Sequence, residues 1–255
     1  MIKVAPTKSQ RSRRKGNSLI GRKATLKFRT SRSSRLAPRC AKILKLAPDA
    51  RSFAKPSDGH EKQPTTLRRG RAEQVLEALA AQIRICTRCP LCHSRTIAVP
   101  GEGKPTAPVM IIGEGPGSKE DQTGRPFVGN AGRYLDHVVE GSGFDRSDFF
   151  ITNIVKCRPP SNRTPKVEEV ETCISLYLNE QIRQVNPKLV FLLGSTAVKK
   201  MLGAKNVEDA RGKIIERDGR KYLASYHPAV RFYREDLAQK IKLDFALLMK
   251  ELKKL

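Results

Sequence analysis

Three polar residues sit where apolar runs give out: Glu114 directly after VMIIG (109–113), Asn153 within FFITNIV (149–155) and His227 after KYLAS (221–225). In a parallel sheet those strand ends share one edge. A carboxylate, an amide and an imidazole gathered there around the flat ring of Phe127 would form a pocket that stacks a planar ring and hydrogen-bonds its edge through Asn153. Each residue alone has a plainer explanation, because Asn and His at strand ends favour turns and caps. Only their convergence points to a site. Gly113, Gly115 and Gly117 allow backbone to come close to a ligand, and a phosphate-binding turn is the competing explanation for so short a glycine pattern.

Sulfur forms a second constellation. Cys86-x-x-Cys89 is followed by Cys92 next to His93, with Cys157 and Cys173 downstream and Cys40 apart from the rest. Clustered cysteines in a chain without an export signal favour metal or cluster ligation over a disulfide framework. Four thiolates suit zinc and a 4Fe-4S cluster equally on spacing alone.

Positioning these groups calls for alternating strands and helices. Residues 109–112, 149–155 and 189–193 are β-branched or apolar runs that suit buried strands, and residues 213–216 and 221–225 flank Asp218-Gly219 as a hairpin-like pair. Helical spacing of apolar positions predicts helices over residues 71–85, 133–143, 168–185, from GSTA to Leu202, and 236–252. Pro159 and Pro160 forbid further pairing after the second strand, and VPGEG (99–103) is turn chemistry. The fold class expected is α/β, a three-layer α/β/α sandwich with a central, mostly parallel four-stranded sheet.

Lys and Arg number 50 against 25 Asp and Glu, a formal net charge of +25 on 255 residues. That balance points to polyanionic partners, nucleic acid first. No apolar stretch approaches the roughly 18 residues that cross a bilayer, so no membrane association is expected. Residues 1–70 are rich in Arg, Lys and Ser with no acid before Asp49 and are expected to be a disordered extension of residues 71–255. An organelle transit peptide, a nucleic-acid-gripping arm and a misassigned start all fit that composition. Localisation follows the same fork: cytoplasm or nucleoid in a prokaryote, an organelle if the extension is a transit peptide.

Taken in order, CTRCPL (86–91), VPGEG, GEGPGSKED (113–121), GRPFVGNAG (124–132), TNIVKCRPPSNRTP (152–165) and SYHPA (225–229) resemble the iron–sulfur uracil-DNA glycosylases known as family 4. The resemblance runs from about Arg71 to Leu255 and implies hydrolysis of the N-glycosidic bond of a uracil flipped out of double- or single-stranded DNA. It implies that Phe127 stacks the uracil, Asn153 reads its N3/O4 edge, backbone at Glu114, Gly115 and Pro116 lines the pocket, and His227 donates to O2. Glu114 is the candidate for positioning water or stabilising the cationic sugar. Glu120 either crowds the C5 side against thymine's methyl or caps a helix start.

The same resemblance makes Cys86, Cys89, Cys157 and Cys173 the ligands of a 4Fe-4S cluster, with Cys92 a non-ligand. DNA contacts are expected from Lys156, Arg158, Arg163, Arg231 and Phe232, although VRFYR (230–234) departs from the Leu-rich wedge of that family. A monomer is expected. Two other classes compete: a non-catalytic nucleic-acid-binding module stabilised by a cluster or zinc, and a nucleotide-binding transferase using GEGPG on phosphates. The first leaves Phe127, Asn153 and His227 unused, and the second lacks a P-loop Lys-Ser/Thr.

Overall fold

The computed structural model describes residues 65–255. The expectations for the N-terminal extension, a helical patch at residues 41–46 and Cys40 lie outside the described residues.

Six strands form one sheet: β1 (Glu102–Gly103), β2 (Val109–Gly113), β3 (Phe149–Asn153), β4 (Leu189–Leu193), β5 (Ile214–Arg217) and β6 (Arg220–Ser225), in the spatial order β1-β3-β2-β4-β6-β5. The four inner strands β3, β2, β4 and β6 are parallel, which is the expected core. An antiparallel strand closes each edge. At one end VPGEG does more than turn, since Glu102 and Gly103 pair with Ile151 and Phe150. At the other, Asp218 and Gly219 both take positive φ, 51° and 71°, as a two-residue hairpin turn requires.

Side chains alternate across the inner strands. Met110, Ile112, Val190 and Leu192 face the layer of α1 (Thr65–Ile85), the segment α4 (Val167–Cys173) to α5 (Asn179–Val185), and α6 (Ser195–Leu202). Val109, Ile111, Phe149, Ile151, Leu189 and Phe191 face α3 (Asn130–Glu140) and α7 (Glu235–Leu252). Period-two alternation on strands buried from both sides yields the three layers. The single helix expected over residues 168–185 is interrupted, because a π-helical turn at Ile174–Leu178 separates α4 from α5. A short helix, α2 (Ser118–Thr123), occupies what reads as loop in the sequence.

Register places Gly113 opposite Asn153, and Leu193 opposite Ser225, so the inner strands end together. The chain leaves β2 toward β3 on one side and later returns to β4 on the other. The crevice beyond β2 and β4 is therefore the topological switch point, where open α/β sheets hold ligands.

Candidate active site and cysteine cavity

A cleft opens at that crevice, lined among others by Glu114, Gly115, Pro116, Glu120, Phe127, Asn153, Arg163, His227 and Phe232. Asn153 is 2% exposed, and its Oδ1 is buried with no hydrogen-bond partner. The Phe127 ring meets this amide over Gly113: a Cβ there would come within 2.4 Å of Asn153 Oδ1 and 2.6 Å of Phe127 Cζ. Glycine is what lets amide and ring converge on one spot.

Phe127 is held in a left-handed conformation, φ 50°. Such backbone costs a non-glycine residue on the order of 1–2 kcal/mol and persists only where its surroundings fix it. The surroundings are specific. Glu120 Oε1 accepts from the backbone N–H groups of Val128 (2.9 Å) and Gly129 (2.7 Å), which ties down the loop leading into α3. From the other side, Arg146 donates to the carbonyls of Pro126 (2.6 Å) and Phe127 (3.3 Å) while paired with Glu102 and Asp136. Gly132 permits the close approach of α3, since a Cβ there would lie 1.7 Å from Phe127 O. Glu120 thus fastens the loop that leads into α3 and also lines the cleft.

His227 faces Phe127, with ring centroids 5.7 Å apart and planes inclined by 28°. Burial pushes its pKa down to about 4, against a smaller opposing pull from Glu120, so the imidazole is neutral near pH 7. The Ala229 N–H donates to its Nδ1 at 3.3 Å, which leaves the proton on Nε2.

The basic residues separate. Arg163 lines the cleft while its guanidinium pairs with the buried Glu169 at 2.7 Å. Arg158 is partly exposed and donates to Asn162 Oδ1, a cleft residue, at 2.8 Å. Arg231 lies with its guanidinium 4.1 Å from the Tyr134 ring centroid. Phe232 and Tyr233 project, 51% and 85% exposed. Lys156 overturns its expected place at a DNA-facing surface: it is 1% exposed and donates to Thr152 Oγ1 (2.5 Å), Gln181 Oε1 (2.6 Å) and Asn153 O (2.8 Å). A lysine saturated by three buried acceptors has no donor left for a phosphate.

Behind this strand end, Cys86, Cys89, Cys92, Cys157 and Cys173 line one cavity together with Arg95, Lys156 and Tyr177. Cys173, the last residue of α4, and Tyr177, within the π-helical turn, lie on the same wall. Burial drives the thiol of Cys157 up to about 12 and that of Cys173 up to about 11, with nearby cations working the other way. Those cations are Arg95, whose Nη1 donates to Cys157 Sγ at 2.9 Å, and Lys156, whose backbone N–H bonds Cys173. A sulfur-rich cavity flanked by cationic donors fits an anionic thiolate-held group. Arg95 and Arg146 belong to no pattern that periodicity or motif spacing reveals.

The sequence profile of the Uracil DNA glycosylase superfamily matches residues 100–253. A type-4 uracil-DNA glycosylase of Thermotoga maritima is 42% identical over 160 residues, covering 62% of this chain and 83% of that protein. One of Pyrobaculum aerophilum is 42% identical over 183 residues, 68% of this chain and 92% of its own length. A type-5 enzyme of the same organism is 35% identical over 149 residues, with 51% and 65% covered.

Proposed function

The chain belongs to the uracil DNA glycosylase superfamily, and we propose that Phe127, Asn153, His227 and Glu114 carry the reaction in its cleft while Cys86, Cys89, Cys157 and Cys173 hold a 4Fe-4S cluster behind it. It is a DNA glycosylase that removes uracil from DNA and so initiates base excision repair. The observation that carries the residue assignment is the buried, unpartnered Asn153 Oδ1 beside the Phe127 ring. An orphaned acceptor in a cleft calls for a ligand donor, and the uracil N3–H supplies one while the amide nitrogen answers O4.

The flipped base stacks on Phe127. As the bond from N1 to C1′ breaks, its electron pair moves into the ring and negative charge grows on O2, where the neutral His227 donates from Nε2. The Glu114 carboxylate stabilises the positive charge on the sugar and holds the water that adds to C1′. The proton released from that water ends on the departing uracil. Glu120, fixed by two backbone N–H groups, crowds the C5 side and excludes thymine.

The cluster, when bound, supplies structure: four thiolates from α1's end, the segment after β3 and α4 tie those elements together next to Asn153. The protein acts as a monomer on uracil in double- or single-stranded DNA. Excision from uracil-containing duplex and single-stranded oligonucleotides tests the assignment. Asn153→Ala and His227→Ala each slow it about a hundredfold while leaving the fold intact; wild-type rates in both would overturn these roles.

A further inference from the structure

Thr196 is the second residue of α6 and is 9% exposed. Its Oγ1 lies 2.5 Å from Oε2 of Glu114, which follows β2. Because β2 and β4 are neighbours, the loop carrying Glu114 and the helix carrying Thr196 flank the same crevice. Among the described residues no arginine, lysine or backbone N–H bonds the Glu114 carboxylate, so the Thr196 hydroxyl is the group that fixes it.

We propose that Thr196 is a positioning residue for glycosylase action: by donating to Oε2 it holds the Glu114 carboxylate in one orientation and leaves Oε1 facing the sugar and its water. The inference rests on the role proposed for Glu114 and deepens it. A glutamate side chain turns about three torsions, and an untethered carboxylate samples orientations in which neither oxygen meets C1′ or the water. A single hydroxyl donor selects one of them. The effect belongs to the bond-breaking step and not to DNA binding.

Steady-state and single-turnover excision assays on Thr196→Val, Thr196→Ser and Glu114→Gln test this, with thermal unfolding of each variant recorded alongside. Thr196→Val keeps size and shape but loses the donor, so kcat falls about tenfold while KM for the oligonucleotide stays within about twofold. Thr196→Ser, which keeps the donor, restores most of the rate. In a Glu114→Gln background, Thr196→Val has little further effect, as a pair acting through one contact requires. Wild-type kcat in Thr196→Val together with an impaired Glu114→Gln overturns the positioning role alone. Equal losses in the Val and Ser variants overturn it too, by assigning the effect to packing. A wild-type rate in Glu114→Gln overturns instead the role of Glu114.

Discussion

Lys156 donates from Nζ to the main-chain oxygen of Asn153 at 2.8 Å, so the residue preceding Cys157 secures the strand end that carries the buried Asn153 amide. Replacing the ammonium by a methyl group leaves the Asn153 carbonyl and Gln181 Oε1 without this buried donor. Lys156→Met is therefore expected to lose about 3 kcal/mol of stability, read by denaturant unfolding, and to lower excision as well. Unchanged unfolding would contradict the buried network.

His227 makes stability depend on pH in a defined window. Its folded pKa is about 4, against about 6.5 for an unfolded histidine. Between those values the unfolded chain binds a proton that the folded chain does not, so stability falls as pH is lowered through the window, by no more than about 3 kcal/mol. Above about pH 6.5 the contribution is constant. Unfolding free energies at several pH values in wild type and His227→Phe measure it; identical slopes in the two proteins would rule out the histidine as the cause.

The cysteines are separable by metal content. Cys157→Ser and Cys173→Ser are expected to yield colourless, iron-free and less stable protein, whereas Cys92→Ser keeps about four irons per chain and the visible absorption of a cluster. One zinc per chain in the wild type would instead make the cavity a zinc centre.

Phe232 stands half exposed in the lining of the cleft, and we propose it as the wedge that opens a base step. Phe232→Ala should weaken processing of duplex substrate by about 1–3 kcal/mol and affect single-stranded substrate less, since no partner base must be displaced there. Equal effects on both substrates would assign Phe232 to strand binding instead.

The parallel core was legible because its strands alternate two buried faces, and Val109 through Ile112 can do so only with helices on both sides. The hairpin at Asp218-Gly219 was legible from turn chemistry, and the polar strand ends from their position after apolar runs. Lys156 was not, because a lysine between Val155 and Cys157 in a basic, proline-rich stretch looks like surface, and its burial is decided by Thr152 and Gln181 on separate elements. Nor was the clamp on Phe127, whose members Glu120 and Arg146 are 26 positions apart by their numbering and meet only through backbone. The π-helical turn left no periodic signal, since its apolar residues fit an ordinary helix equally well.

The clamp bears on how the cleft discriminates. Glu120 is fastened to the amides of Val128 and Gly129, and Arg146 braces the carbonyls of the same short loop from behind. On the proposed reading, a base carrying one extra methyl meets a boundary with no slack in which to retreat. Selectivity then arises from stiffness and not from affinity, and any change that softens the loop would widen the range of bases admitted before it lowered the rate on uracil.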